Sequence, residues 1–228
     1  MVTILAPCTG HMTMTTDNLT PDALLTLAQW LSPAFPTGGF AYSQGLEWLV
    51  ADGVVTDAHS YTEWLDTVLT QGAGRNDAIL LAAAYAGDPA DIDALARALS
   101  PSAERLLETV AQGTAFTQTV GAVWGIALPP LTLPVAVGAA AKAQGLPLPT
   151  TLRLYLMNMA TALTGAAQRL VPLGQTAAQK VLALAQATCT GIADAALAAS
   201  LDDLGAASFA CDIASMRHEV QTTRLFRS

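Results

Sequence analysis

The sequence predicts an all-α fold, a single irregular bundle of about eight to ten helices. Residues that start and stop helices recur along the whole chain, while the alternating Val, Ile, Thr and aromatic runs typical of strands are scarce. No fixed-period repeat and no low-complexity linker divides the 228 residues, a length that suits one domain with a sizeable core. We therefore predict a flexible tail over 1–20 and one helical domain over 21–228.

The first two helices are predicted from caps and turn residues. Residues 20–22, Thr-Pro-Asp, combine an N-cap, a proline at the first helical position and an early acid, so a helix should run from here to about Ser32. Residues 33–39 contain two prolines and two glycines, which predict a shaped turn. A second helix is then predicted from Phe40 to about Ala51.

The same signals predict the later helices. In chain order these run from Thr56 or Asp57 to Gln71, from Gly74 for about a dozen residues, from Asp88, from Ser100 to about Trp124, over 134–144, over 150–170, and from Thr176 to about Ala199. Gly113 and Gly121 predict places where neighbouring helices approach closely. From Leu201 onwards the pattern is mixed.

The composition is unusually apolar, with 52% hydrophobic and only 12% charged residues. Apolar side chains beyond those that a core can hold must face a membrane or a protein partner. The longest apolar runs, 78–86 and 134–141, are far shorter than the 18 or so residues that a membrane span needs. Protein interfaces are therefore the better prediction, although alanine, which also suits helix surfaces, supplies much of the apolar count.

The net charge excludes several classes of binding partner, and the cysteine content indicates the cellular compartment. The net charge of −8 repels phosphate backbones and anionic lipid headgroups, so we predict no nucleic-acid binding and no polybasic membrane docking. Cys8, Cys189 and Cys211 form neither an even disulfide framework nor a CxxC pair, which favours a reducing compartment. The N-terminus lacks the features of a secretory signal, so a cytoplasmic location is predicted.

Motifs for catalysis are missing from the sequence. There is no GxxxxGK[ST] loop, and His11, His59 and His218 lie far apart without an HExxH pair or a cysteine cluster. We therefore predict no metal-ligand set within the chain, no cofactor and no enzymatic activity, and a metal ion held between subunits stays as an alternative. A helical enzyme with a small-molecule pocket stays as the alternative, because scattered residues can also carry chemistry.

Three segments hold more polar and special residues than helix packing requires. They are Ser-Pro-Ala-Phe-Pro-Thr-Gly-Gly-Phe-Ala-Tyr-Ser-Gln-Gly-Leu-Glu over 32–47, Arg-Leu-Val-Pro-Leu-Gly-Gln over 169–175, and His-Glu-Val-Gln-Thr-Thr-Arg-Leu-Phe-Arg-Ser over 218–228. In this order and at these separations, they resemble the urease accessory protein F family. The resemblance extends over about residues 24–228.

The resemblance implies an all-α chaperone that acts in metallocentre assembly. Members of that family form a complex with accessory protein D, called H in some bacteria, and with the GTPase G that delivers nickel to apo-urease. By this similarity the chain would bridge the D or H protein and the GTPase, and would form dimers. An apolar, weakly charged composition agrees with lasting interfaces.

The third segment is predicted to be a partner-binding tail over about 212–228. Its candidate contact residues are His218, Glu219, Gln221, Arg224, Leu225, Phe226, Arg227 and Ser228. An aromatic residue between two arginines can anchor a segment that orders on a partner, but a tail folded back on its own bundle is the alternative. The resemblance favours binding to the D or H protein.

The first segment combines a turn with polar residues. Pro33, Pro36, Gly38 and Gly39 are predicted to shape the turn between helices, with Phe40 and Leu46 in the core. The next polar residues are predicted to begin a helix and to form a contact surface or a route for a metal ion; they are Tyr42, Ser43, Gln44 and Glu47.

The second segment contains another turn, at Pro172 and Gly174. Arg169 before it and Gln175 after it are predicted to face the GTPase. A regulator can supply an arginine to the charge that develops on the phosphate, or can order the loops of the GTPase itself. The alternative for Arg169 is a surface salt bridge.

Overall fold

The computed structural model describes residues 19–228, and ten α-helices account for most of this part of the chain. The predicted all-α bundle is confirmed, and no strand occurs over 19–228. The helices are α1 (Pro21–Trp30), α2 (Leu46–Ala51), α3 (Ala58–Gln71), α4 (Ala73–Ala86), α5 (Pro89–Ala98), α6 (Ala103–Trp124), α7 (Leu133–Ala143), α8 (Leu148–Leu170), α9 (Gln175–Ala196) and α10 (Phe209–His218). Residues 1–18 of the predicted tail lie outside the described residues.

Helix α7 is the centre of the bundle. It lies between α4 and α6, and every residue from Pro134 to Ala141 is buried. Its small side chains allow this, because a Cβ on Gly138 would lie only 2.3 Å from the carbonyl oxygen of Leu81 in α4. Helices α8 and α9 pack along each other, and both contact α4.

The two glycines of α6 differ in their surroundings. A Cβ on Gly113 would lie 2.0 Å from the carbonyl oxygen of Leu131, so the segment leading into α7 depends on this glycine. Close approach was therefore predicted correctly at Gly113. At Gly121 the prediction is wrong, because the nearest atom, the carbonyl oxygen of Ile126, would be 3.5 Å away, an ordinary contact.

Helix α2 begins six residues later than predicted. Gln44 and Gly45 have φ angles of 54° and 80°, in the left-handed region, which ends any helix that starts at Phe40. Gly45 is required for a second reason: a Cβ there would lie 2.6 Å from the backbone nitrogen of Ser215 in α10. This approach brings the start of α2 against α10.

The start of α6 also differs from its prediction. Ser102, not Ser100, is the N-cap, and its side chain accepts a hydrogen bond from the backbone nitrogen of Arg105. Pro101 lies in the turn before it. In contrast, the predicted cap of α3 at Asp57 is confirmed by the hydrogen bond from the Ser60 nitrogen. Because α10 packs on both α2 and α6, the beginnings of these two helices and the end of the chain meet.

Candidate functional site

The three sequence segments with unusual residues come together at the end of the chain. Residues 218–228 fold back over the bundle and are held by Ser43, Glu47, Glu104 and Glu108. We call this unit, residues 218–228 with these four side chains, the C-terminal clasp. Of the two alternatives for the tail, the structure therefore has the one folded onto its own bundle.

Glu47 is the acceptor at the centre of the C-terminal clasp. Its carboxylate accepts hydrogen bonds from the backbone nitrogens of Leu225 at 2.6 Å and Phe226 at 2.8 Å. The same carboxylate lies 3.2 Å from Nε2 of His218. Glu47 is buried, and a buried carboxylate requires donors of this kind to offset the loss of water.

Glu104 connects the beginning of α6 to the last residues. One of its oxygens lies 2.7 Å from Nδ1 of His218, and the other accepts a hydrogen bond from Arg224 at 2.6 Å. Glu219 contributes in the opposite direction, because its carboxylate accepts from the backbone nitrogens of Ala103 and Glu104 in the first turn of α6. A carboxylate is favourable there, since these nitrogens have no partner within the helix.

The last residue, Ser228, is held through a main-chain oxygen and through its side-chain hydroxyl. Its carbonyl oxygen accepts from the backbone nitrogen and from the hydroxyl of Ser43, both at 2.5 Å. Its own hydroxyl donates to Glu108 at 2.8 Å. Glu108 also forms an ion pair with Arg105 and accepts from Gln112. Ser228 is therefore fully enclosed.

Side chains alternate between inside and outside along the last residues. Phe226 and Ser228 point inwards, whereas Leu225 is 57% exposed and Arg227 is exposed. This is the period of an extended segment, in which successive side chains point to opposite faces. The backbone nitrogen of Arg227 donates to the carbonyl of Ala41 at 2.8 Å, so the first segment aligns the last one.

Arg169 joins the second sequence segment to the C-terminal clasp. Its guanidinium lies over the ring of Phe226, with 4.2 Å from its carbon to the ring centroid, and donates to the carbonyl of Phe40 at 2.9 Å. Such a cation–π contact stabilises the ring in place. The predicted alternative of a salt bridge is thus replaced by a contact with an aromatic ring and a backbone carbonyl.

These contacts produce an exposed face with apolar and cationic groups. It consists of Phe40, Arg169, Leu225 and Arg227, which we call the outer face, with Arg224 at its edge. Phe40 is 75% exposed, so its predicted place in the core is wrong, while Leu46 is fully buried as expected. Exposed apolar side chains flanked by arginines are typical of contact surfaces on proteins.

The predicted contact residues divide into an interior and an exterior set. The buried ones are Tyr42, Ser43, Glu47, His218, Phe226 and Ser228. Ser43, Glu47, His218, Phe226 and Ser228 are parts of the C-terminal clasp, and contact of any of the six with a partner stays a prediction. The exposed or half-exposed ones are Gln44, Arg169, Gln175, Glu219, Gln221, Arg224, Leu225 and Arg227, and their contact with a partner stays a prediction.

The predicted turn residues lie between helices. Pro33, Pro36, Gly38 and Gly39 fall between α1 and α2, and Gly38 has a φ of 75°, which a glycine adopts without strain. Tyr42, Ser43 and Gln44 precede α2 instead of beginning it. The other two, Pro172 and Gly174, lie between α8 and α9, and Gln175 is the first residue of α9.

A cavity of about 130 Å³ with a mainly apolar lining lies between α4, α5, α6 and α10. Asp77, Arg105 and Asp212 are among its lining residues. Burial raises the pKa of Asp77 to about 6, and the nearby Arg105 opposes this shift. Asp77 accepts a hydrogen bond from the hydroxyl of Tyr155 at 2.7 Å, which gives it a structural role inside the bundle.

Residues 19–228 contain neither a candidate metal site nor a candidate membrane-spanning helix. No group of three or more His, Cys, Asp or Glu side chains in this range could hold a metal ion. None of the helices in the same range is long and apolar enough to span a membrane.

The chain is similar to known proteins over most of its length. A family model described as UreF matches residues 55–186, more than half of the chain. The chain belongs to the UreF family of urease accessory proteins. A urease accessory protein UreF from Cereibacter sphaeroides is 54% identical over 207 residues, which cover 90% of this chain and 99% of that protein.

Two further UreF relatives have similar coverage. The UreF protein of Roseobacter denitrificans is 49% identical over 92% of this chain and 96% of its own length. That of Bradyrhizobium diazoefficiens is 47% identical over 90% of this chain and 92% of its own length. Of the C-terminal clasp, the family model covers Glu104 and Glu108 but not residues 218–228, and the relatives are similar to this chain over about nine-tenths of its length.

Proposed function

We propose that this chain is a cytoplasmic adaptor that joins accessory protein D, called H in some bacteria, to the GTPase G during nickel insertion into apo-urease. Its membership of the UreF family supports an accessory role. The observation that supports the adaptor role is the outer face, an exposed apolar and cationic surface on a rigid support. In this proposal the chain is a chaperone for metallocentre assembly, and its partners supply the chemistry.

The outer face suits a partner with an apolar pocket and acidic residues around it. Phe40 and Leu225 offer large apolar side chains to such a pocket, at exposures of 75% and 57%. Arg169 and Arg227 beside them can form charge-assisted hydrogen bonds with carboxylates. Because Phe226 and Ser228 fix the backbone beneath, little ordering is needed on binding, which favours affinity. We assign Phe40, Leu225 and Arg227 of this face to the D or H protein, and Arg169 beside them to the GTPase.

Capture of the D or H protein tests this assignment. The double variant Leu225→Asp with Arg227→Glu replaces an apolar and a cationic side chain of the outer face with two acidic ones. It leaves the buried Phe226 and Ser228 in place. We expect binding of the D or H protein to weaken by about thirtyfold or more, as for the loss of central contact residues. Co-purification and titration calorimetry measure this.

The matched control is Leu184→Asp, a substitution on α9 at a side chain that is 68% exposed. It should bind the D or H protein as the unmodified chain does. Equal binding by all three chains would contradict the assignment of the outer face. Deleting residues 218–228 is a poorer test, because it also removes the buried His218 and Phe226.

An apolar stripe on α10 supports the proposed homodimer. Phe209, Ile213 and Met216 are about half to three-quarters exposed and recur at spacings of four and three residues, and the exposed Val220 follows four residues later, just past the end of α10. This places them on one side of the helix, opposite the buried Ala214 and His218. The heptad spacing is that of helices that pair along an apolar seam. The mass of the chain in solution, measured by light scattering, reports the dimer.

Arg169 also allows a proposed effect on the GTPase. Arg169 is exposed while its guanidinium contacts Phe226 and the carbonyl of Phe40, so it can order a neighbouring loop more readily than it can reach into a nucleotide site. In the assembled complex, Arg169→Ala should lower GTP turnover several-fold. The control is Arg153→Ala on the same helix. A complex assembled with this variant should turn over GTP at the rate of the complex with the unmodified chain. Unchanged turnover with Arg169→Ala would remove the GTPase role.

A further inference from the structure

His218 is a fully buried histidine whose two ring nitrogens both face carboxylates. Nδ1 lies 2.7 Å from Glu104 in α6, and Nε2 lies 3.2 Å from Glu47 in α2. A neutral imidazole has one N–H donor, whereas the protonated ring has two. Both contacts are therefore hydrogen bonds only when the ring of His218 carries two protons.

If the ring of His218 loses one proton, the lone pair of that nitrogen faces a carboxylate oxygen, and the two repel each other. Water cannot relieve this repulsion, because the side chain of His218 has no exposed surface and those of Glu47 and Glu104 have only about a tenth. An unpaired polar group in such surroundings costs more than a hydrogen bond gains at the surface. The protonated ring is therefore the form that fits this site.

The same carboxylates hold the residues that follow. Glu47 accepts from the backbone of Leu225 and Phe226, and Glu104 accepts from Arg224. The other charged groups packed around them are the Arg105–Glu108 pair of α6 and Glu219 at the end of α10. A change at His218 thus reaches the hydrogen bonds of residues 224–226 through a shared carboxylate, while Phe226 is also held by the guanidinium of Arg169.

We propose that His218 is a proton-controlled latch for the C-terminal clasp. With two protons, the ring holds Glu47 and Glu104 in the positions that bind residues 224–226. When rising pH removes one proton, the two carboxylates lose a donor and repel the ring, and residues 221–228 open. The latch rests on the proposed partner function in one respect only, because opening of the C-terminal clasp would separate the residues of the outer face. The latch itself is a property of the isolated chain.

Hydrogen exchange of the isolated chain tests the latch. Amide protection over 221–228, corrected for the intrinsic effect of pH, is followed from about pH 6 to about pH 10, a range that starts where ordinary histidines titrate. We expect the corrected protection to fall by about tenfold or more with rising pH, as expected for local opening, while α8 and α9 keep theirs. Constant protection over 221–228 throughout the range would overturn the proposal.

Two variants assign the effect to His218. His218→Gln is neutral at every pH, so residues 221–228 should be open throughout and show no response to pH. The matched control is His59→Gln, at a histidine whose side chain is 83% exposed, and it should keep the unmodified profile. A pH response that survives in His218→Gln would overturn the latch.

A measurement on the unmodified chain covers the case in which His218→Gln does not fold. Nitrogen NMR of the histidine rings shows whether both nitrogens of His218 are protonated while residues 221–228 are protected. A neutral ring in the closed state would overturn the proposal. Because none of these measurements uses a partner, failure of the latch and failure of partner capture by the outer face are separate results.

Discussion

Replacing Glu47 with alanine should lower the free energy of unfolding by about 3–5 kcal/mol, the cost of breaking a buried charged pair from one side. The variant leaves the backbone nitrogens of Leu225 and Phe226 without their acceptor. It also leaves the ring of His218 with one carboxylate in place of two. Since domains of this size are stable by roughly 5–15 kcal/mol, the loss is a large part of the total. Urea unfolding followed by circular dichroism measures it.

A tail that opens in Glu47→Ala should also become accessible to protease. Trypsin cleaves after Arg224 and Arg227, and cleavage at both should be faster than in the unmodified chain. The control is Glu63→Ala in α3, where the carboxylate is 70% exposed and pairs only with the exposed His59. It should change stability by no more than about 0.5 kcal/mol. Equal unfolding midpoints for the two variants would show that Glu47 does not hold the tail.

Alanine at Gly113 and at Gly165 should change stability in opposite directions. At Gly113 the added Cβ would lie 2.0 Å from the carbonyl oxygen of Leu131 and 2.6 Å from the carbonyl carbon of Thr132. Both are backbone atoms, so the turn before α7 has to move, and we expect a loss of about 3 kcal/mol or more. Gly165, in the middle of α8, has nothing within 4 Å of such a Cβ. There alanine should stabilise the chain by about 0.5–1 kcal/mol.

Comparing the unfolding midpoints of these two variants separates the effect of close packing on stability from the effect of helix propensity. Both substitutions add one methyl group within a long helix and bring the same intrinsic preference of alanine. Only Gly113 has the backbone of another segment against it. Stabilisation by Gly113→Ala would mean that the segment before α7 is loosely held, contrary to the contacts described above.

Local signals in the sequence predicted most of the helices, because caps and prolines act within a few residues. Asp57 caps α3 and Pro21 begins α1 for reasons that lie entirely in their neighbours along the chain. The start of α2 was missed for a reason of the opposite kind. Gln44 and Gly45 take left-handed angles, and the backbone of α10 passes so close to Gly45 that no Cβ fits there, a contact between parts of the chain that are remote in sequence.

The candidate site was predicted in part. The three segments that proved to be adjacent were all selected, since their polar residues had no explanation in helix packing alone. Glu104 and Glu108 were missed, although with Gln112 they recur every four residues on one side of α6, and that spacing is the signal that could have found them. The inward position of Phe226 could not be predicted, because so short a segment leaves a two-residue period unrecognisable.

The C-terminal clasp closes over long distances in the sequence, since His218 and Glu47 are 171 residues apart and Ser228 and Ser43 are 185 apart. A ribosome makes residues 218–228 only after it has made α1 to α9. Until then Glu47, Glu104 and Glu108 remain in water, where their charges are solvated and mutually repel. Contacts of such high sequence separation form late and slowly. The newly made bundle therefore has an open acidic cleft until residues 218–228 fold onto it.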